Sequence, residues 1–202
     1  MWNFKWDEEG NFLGDESDGI STLLNDVLGP RPVVLVGTKS AREVDNVAVF
    51  NTFQPLGARP PLFSLLIRPL DRQRDTYENM KTTKEWTVNF IRPEWLNKAH
   101  ATSQHFPPET SEFQQVDLKK EQKGGISPPF VSLAPIQMWF TWGREVNIPE
   151  NGTRLIVGHL QQLWLTDQLI QNGKFDFSTR ECVSSWGLDH YATPGKVYKV
   201  ES

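Results

Sequence analysis

RDTYENMKTTKEWTVNF, Arg74 to Phe90, joins a short polar helical run directly to a strand. Asp75 and Glu78 stand three apart at the helical start, and Thr76 and Asn79 share its first turns. That spacing predicts a helix entrance with Asp75 as cap and Asp75-x-x-Glu78 as a variant capping box. The second half alternates. Trp86, Val88 and Phe90 fall on one face, and Thr87, Asn89 and Ile91 on the other, as a strand requires. The helix entrance has two readings. It is a local device that starts a helix, or it holds an anion on the free N–H groups of its first turn.

Working outward, the chain reads as a series of strands. RPVVLVGTKS (31–40) is a short β-branched apolar run, and NVAVFNTF (46–53) follows a polar connection. QPLGARPP is expected to be a loop from its Gly and Pro content. LFSLLIR (62–68) is the next strand. Pro93 opens a helix through EWLNKAHATSQ. The segment HFPPETSEFQQVDLKKEQKGGISPPF is rich in Pro, Gly and charge; it is a mobile excursion or a covering loop. IQMWFTWGREV and RLIVGHLQQLWLT are two long strands joined by IPENGT, whose Asn151-Gly152 is a hairpin signal. Strands are thus expected over 32–38, 46–53, 62–68, 85–91, 134–146 and 154–166. Residues 1–30 read as an N-terminal extension. It ends in a helical pattern of Ile20, Leu23, Leu24, Val27 and Leu28, capped by Asp18 or Ser21. Residues 31–202 read as a single domain, mostly β: a small antiparallel barrel with a few peripheral helices.

Composition excludes several function classes. The chain has 202 residues, 38% hydrophobic and 23% charged, with a net charge of −4. An acidic balance argues against general nucleic-acid or anionic-membrane binding. The single cysteine, Cys182, precludes an intrachain disulfide and fits a reducing compartment. The start, MWNFKWDEEGNF, is acidic with no long apolar run, so no secretory signal or membrane span is expected. The expectation is a cytoplasmic protein. Eight Trp is a high count; they serve core and interface packing, or they wall a planar ligand.

Most catalytic motifs are missing from the sequence. No dinucleotide-binding glycine fingerprint, phosphate loop or nucleophile elbow occurs, and no metal site is expected. His100 and His105 lack a third ligand, and a surface helix accounts for them. Arg68, Arg72 and Arg74 bracket the loop before the helix entrance, where Thr76 adds a hydroxyl. They are a solvated basic loop or, with the helix start, an anion site.

Taken in order, the motifs resemble the flavin reductase-like family, whose fold is the FMN-binding split barrel. The match runs through Pro30-Arg31-Pro32, Thr38, Asn46, Asn51-Thr52-Phe53 and Pro60-Pro61. It continues through Arg74-Asp75-Thr76 with Asn79, and Glu85-Trp86-Thr87-Val88-Asn89. SEFQQVDL, ISPPFV, LIVGHLQQLWLTD and WGLDHY resemble later segments, so the likeness covers roughly residues 30–195. It implies an FMN cofactor, a homodimer, and electron transfer from NADH or NADPH to free flavin, a redox partner protein or a small acceptor. A non-catalytic FMN-binding protein for storage or sensing is the alternative. By position, the resemblance places Thr38, Asn46, Ala48, Phe50, Asn51 and Thr52 along the flavin, and Arg68, Arg74 and Thr76 at its phosphate. His190 and Tyr191 would position the nicotinamide, or they pack a chain end. The chain departs from the family at His159, where Glu is usual, and at Val49, where Pro is usual. Ser185-Trp186-Gly187-Leu188 replaces an Arg-containing motif, for which Arg180 is a candidate substitute.

Overall fold

The computed structural model describes residues 5–9, 23–69, 74–176, 182–193 and 195–200. Asp18, Ile20, Ser21, Arg72 and Arg180 lie outside the described residues. Seven antiparallel strands form the main sheet: β1 (Val34–Lys39), β2 (Asp45–Phe50), β3 (Phe53–Ala58), β4 (Pro61–Ile67), β5 (Glu85–Phe90), β6 (Ile136–Ile148) and β7 (Thr153–Leu165). Their order across the sheet is β2-β1-β5-β6-β7-β4-β3. The two outer strands, β2 and β3, are consecutive in the chain, with only Asn51 and Thr52 between them. A link of two residues cannot span an open seven-stranded sheet, since neighbouring strands lie roughly 4.8 Å apart. The sheet therefore curls until its edges meet at Asn51-Thr52, and the result is a barrel split at that seam.

The alternation of β1 and β5 divides the apolar residues into two cores. Val34, Val36, Trp86, Val88 and Phe90 point into the barrel with Phe53, Leu65, Phe140 and Ile156. Phe53, Phe63, Phe140 and Trp86 form a contiguous ring cluster, with successive centroids 5.1, 5.4 and 5.6 Å apart. Leu35, Val47 and Ile91 face outward into a second core with Phe113, Leu118 and Val131. The Pro-rich middle segment supplies Phe113 and Leu118, and Val131 follows it directly. It covers the outer face of β1 and β2 through the single-turn helix α3 (Glu112–Gln115) and the paired short strands Lys120–Glu121 and Phe130–Val131. Of its two readings, the covering loop is the one observed. Thr87 and Asn89 are buried on the same outer face. Thr87 Oγ1 donates to Pro129 O at 2.6 Å and Asn89 Nδ2 to Leu35 O at 3.2 Å, so their polarity is satisfied.

Three expectations need correction. QPLGARPP is not a loop: residues 53–58 form β3. As an edge strand, β3 has one side that pairs with nothing in its own sheet, so Pro55 forfeits no necessary ladder bond. A bulge between Pro55 and Gly57 absorbs the irregularity. The helix at the opening quotation, α1 (Asp75–Thr83), has Arg74 rather than Asp75 at its cap, with no side-chain capping bond. Asp75 is already helical, so the capping box does not form. Its charge and that of Glu78 sit in the first turn, where the helix dipole favours them. The helix after Pro93 is broken: a 3₁₀ turn, Pro93–Trp95, precedes α2 (Leu96–Ala101).

The abrupt change from helix to strand has a local cause. Lys84 adopts a left-handed conformation (φ 62°), and its N–H bonds to Met80 O at 3.0 Å, closing α1. β5 starts at the next residue. The long β6–β7 hairpin turns at Asn151-Gly152 as expected, with Gly152 at φ +71° and Asn151 Oδ1 accepting from Thr153 N. A smaller sheet pairs Arg31–Pro32 with Ser184–Trp186, and Ser184–Trp186 with His190–Ala192. It carries the C-terminal residues back to the seam.

Candidate functional site at the barrel seam

A cavity of about 550 Å³ opens where the barrel is split. One wall is the free edge of β2, through Asn46, Ala48, Val49 and Phe50, continued by Asn51 and Thr52. An edge strand leaves alternate N–H and C=O groups unused by its sheet, so this wall offers main-chain donors and acceptors. The other walls come from the start of α1, the stretch after α2, α3 and the small C-terminal sheet.

The β2 wall rests on a buried polar network. Thr38 Oγ1 and Thr76 Oγ1 both donate to Asn46 Oδ1, at 2.9 and 3.0 Å. Asn79 Nδ2 donates to Thr38 Oγ1 at 3.1 Å. Asn46 Nδ2 donates to Glu112 Oε1 at 2.8 Å, and Val47 N to Glu112 Oε2 at 3.2 Å. Thr38, Asn46, Thr76, Asn79 and Glu112 are all buried. The network thus ties β1, β2, α1 and α3 together around one amide. Asn46 is suited to this because one side chain supplies both an acceptor and two donors. Burial raises the Glu112 pKa above its ordinary value; the bonds from its own backbone, Val47 and Asn46 counter this, and Asp75 adds to it. Asp75, which also lines the cavity, is raised by burial and by Glu109 and Glu78, with His105 opposing.

The end of the cavity at the start of α1 is cationic. Arg68 and Arg74 line it. Burial, then the Arg31 and Arg74 guanidinium groups, push the Arg68 pKa down from its usual value. Arg68 Nη2 donates to Asn25 Oδ1 at 3.3 Å. Arg31 Nη2 donates to the carbonyls of Asn25 and Gly187, at 3.3 and 3.2 Å, and its buried Nε has no hydrogen-bond partner. These acceptors are neutral oxygens.

Most residues singled out by the sequence meet here, in roles that differ from one another. Asn46, Ala48, Phe50, Asn51, Thr52, Arg68, Arg74 and Thr76 all line the cavity. Thr38 lies behind the wall and holds Asn46. The Thr76 hydroxyl spends its proton on Asn46, so it frames the site rather than reaching toward an anion. The Asn51 side chain donates to Ser185 Oγ at 3.1 Å and Gly187 O at 3.0 Å, and Thr52 Oγ1 to Leu66 O at 2.8 Å. Both side chains therefore spend donors on closing the seam. Tyr191 lines the cavity, while His190 is exposed and pairs with Asp189 at 2.7 Å. The residues 190 and 191 are neighbours on a strand and point to opposite sides.

Sequence reasoning missed His100, His105 and Glu112 as site residues. His100 Nδ1 lies 2.8 Å from Tyr191 Oη, and burial followed by the Asp189 charge raises the Tyr191 pKa. The short stretch after α2 brings His105 and Phe106 to the same wall. The Trp residues pack elsewhere: none lines the cavity among the described residues, Trp86 stacks on Phe140 in the barrel core, and Trp164 meets Phe130 edge-on. Cys182 is buried in the barrel core, in keeping with a packing role. No group of three metal-ligating side chains occurs among the described residues. No helix among them is long and apolar enough to cross a membrane.

Comparison with known proteins places this geometry. Residues 28–177 match the family model described as the flavin reductase like domain. An uncharacterized protein of Aquifex aeolicus is 33% identical over 130 residues, 62% of this chain and 66% of that protein. A candidate flavin reductase with a split barrel domain from Shewanella frigidimarina superposes with a TM-score of 0.87 at 26% identity, covering 94% of each chain. Nitrilotriacetate monooxygenase component B from Bacillus cereus shares the fold, with a TM-score of 0.84 at 23% identity over 92% of this chain and 95% of that one.

Proposed function

The chain belongs to the flavin reductase-like family, and on that premise we propose that it binds FMN in the seam cavity and acts as an NAD(P)H-dependent flavoprotein oxidoreductase. The observation that carries this reading is the pairing of a main-chain wall with a cationic end in one cavity of about 550 Å³. That volume lies within the range of small-molecule and cofactor sites. An isoalloxazine ring presents alternating hydrogen-bond donors and acceptors along its polar edge, and the free edge of β2 offers the complementary groups. A phosphate needs cationic forks and N–H donors, and Arg68, Arg74 and the first turn of α1 supply them.

When bound, the flavin would supply the redox chemistry, hydride transfer from NADH or NADPH and onward electron transfer to free flavin, a redox partner protein or a small acceptor. The protein's part is to bind and to orient. Arg68 and Arg74 fix the phosphate. The network around Asn46 keeps the β2 edge rigid, so that the ring meets preformed partners. Tyr191 and His100 also line the cavity, where they would contact a second ligand. Hydride transfer requires no separate acid or base, which accounts for a site without a nucleophile motif.

The same reading makes the working form a homodimer. Five of the six β3 residues are exposed, Leu56 at 48%, and this unpaired edge borders the seam. Sedimentation at micromolar concentration should give twice the chain mass; a monomer that still holds FMN tightly would remove the dimer from the account. For the activity, anaerobic titration of the FMN-loaded protein with NADH and with NADPH should bleach the flavin absorbance. FMN binding with no bleaching by either nucleotide would reduce the function to flavin storage or sensing.

A further inference from the structure

Tyr191 and His100 come from distant parts of the chain and meet in one hydrogen bond. Tyr191 lies on the short C-terminal strand His190–Ala192, and His100 in the last turn of α2. Their rings meet edge to face with centroids 5.9 Å apart, and His100 Nδ1 lies 2.8 Å from Tyr191 Oη. Both line the seam cavity, yet their exposure differs. Tyr191 is half-buried with its ring against the second core, whereas His100 is exposed. The pair therefore joins solvent to the cavity wall through one imidazole and one phenol. Each of these groups can both donate and accept, so a proton can pass between them. An imidazolium at His100 donates through Nδ1 to Tyr191 Oη, and the phenol hydrogen is then free to turn toward a ligand. Burial, then the Asp189 carboxylate, raises the Tyr191 pKa, so the phenol stays protonated near neutral pH.

A bond that merely fastened α2 to the C-terminal strand would need no ionisable partner. An acceptor that takes up a proton along with its electrons gives the pair a task. The surrounding wall narrows what that acceptor is. Phe50, Phe106 and Leu188 give the cavity apolar surface, and Asp75, Glu112 and Asp189 line it with carboxyl groups. An anionic acceptor is disfavoured beside such groups. A neutral planar ring with a carbonyl oxygen suits both the apolar surface and the phenol donor. We propose that Tyr191 is a catalytic proton donor, fed by His100, and that its substrate is a quinone. This inference rests on the flavin reading of the cavity. In the reaction, a quinone takes a hydride, supplied from NADH or NADPH through the flavin, at one carbonyl oxygen. The electron pair moves through the ring to the second oxygen, which takes the proton of Tyr191 Oη. The Nδ1–H of His100 restores the phenol, and His100 regains its proton from water. The sum is quinone, reduced nicotinamide and one proton giving hydroquinone and oxidised nicotinamide.

The test uses the FMN-loaded full chain and two electron acceptors: p-benzoquinone, which takes up protons, and ferricyanide, which takes none. Both draw on the same reduction by nicotinamide, so the ratio of their rates isolates the proton step. Tyr191→Phe should lower the quinone-to-ferricyanide ratio about a hundredfold, the lower range of general-acid catalysis. His100→Gln keeps a hydrogen-bonding partner for Tyr191 but cannot relay a proton, and it should lower the same ratio. Cyclohexanone, added to the oxidised protein, gives a readout without turnover: it carries the carbonyl oxygen, and its binding perturbs the flavin absorbance. Tyr191→Phe removes one neutral bond and should weaken cyclohexanone roughly threefold to tenfold, whereas His100→Gln should leave its affinity in place. Urea unfolding shows whether each variant keeps the parent fold. An unchanged acceptor ratio in both variants would overturn the relay, with the flavin reading intact. So would a parent that reduces ferricyanide but not p-benzoquinone. Equal losses of cyclohexanone affinity in the two variants would reduce the pair to a clamp between α2 and the C-terminal strand. A parent that binds no FMN is a different result: it would refute the flavin reading and take the relay with it.

Discussion

Asn46→Ala is the most informative single perturbation of the site's frame. Asn46 makes three buried side-chain bonds: it accepts from Thr38 and Thr76, at 2.9 and 3.0 Å, and donates to Glu112 at 2.8 Å. A neutral hydrogen bond contributes roughly 0.5–1.5 kcal/mol and one to a charged group roughly 1.5–3 kcal/mol. The simple total is about 2.5–6 kcal/mol. The true loss falls in the lower half, because the Thr38 and Thr76 hydroxyls can rotate and Glu112 keeps its bond from Val47 N. We expect about 3 kcal/mol. With a urea m-value of about 2–3 kcal/mol/M for a chain of this size, the unfolding midpoint should fall by about 1–1.5 M. The m-value itself should not change. Thr76→Val, which removes one neutral donor, should cost only about 1 kcal/mol and should weaken FMN and riboflavin alike. A midpoint shift below about 0.3 M for Asn46→Ala would refute the network as the frame of the wall. A Thr76→Val loss confined to FMN would return that hydroxyl to the phosphate.

Other outcomes follow from the same geometry. Arg74→Ala should weaken FMN roughly tenfold to a hundredfold while barely affecting riboflavin, and two ligand titrations decide it; equal losses would make Arg74 a support of the fold. Glu112 has a folded pKa above its unfolded value, so the folded chain holds the proton more tightly. Stability should therefore decline as pH rises from the unfolded carboxylate value through the raised folded one, and Glu112→Gln should flatten that decline in urea midpoints measured across the window. Gly158→Ala drives a Cβ into the Trp86 ring at the centre of the barrel; it should destabilise by about 1–3 kcal/mol or more in the same assay.

The sequence disclosed the strands more readily than the edges. β1, β5, β6 and β7 are legible because alternation or a continuous apolar run marks a strand with one or both faces buried, and each of these lies inside the sheet. β3 reads as a loop because an edge strand has little to bury: Phe53 alone among its residues is covered, and its Pro and Gly carry the composition of a turn. The helix entrance was located correctly but its cap was displaced by one residue, since an arginine is not a residue type that announces a cap. Lys84, which turns helix into strand, leaves no sequence signal, because left-handed φ at a lysine is imposed by the strand that follows.

The site was legible where it is made by one stretch of chain. Arg68, Arg74 and the β2 edge fall close together in sequence. Glu112 reaches Asn46 from 66 residues away, and Asn51 reaches Ser185 from 134 away. Long-range pairings of this kind have no local pattern, and no periodicity could have joined them. His100 shows the same difficulty: as an exposed helical histidine it reads as surface, and only the return of the C-terminal sheet brings Tyr191 to it. His190 and Tyr191 read as a pair, yet strand geometry separates neighbours, and only the second reaches the cavity.

The central claim is that the seam cavity holds FMN and that reduced nicotinamide delivers electrons to it. An anaerobic visible-absorbance titration of the purified protein tests this most directly, first with FMN and then with NADH or NADPH. The account predicts saturable FMN binding with a perturbed flavin spectrum, followed by bleaching on addition of one of the two nucleotides. An unchanged free-flavin spectrum at every protein concentration would contradict it.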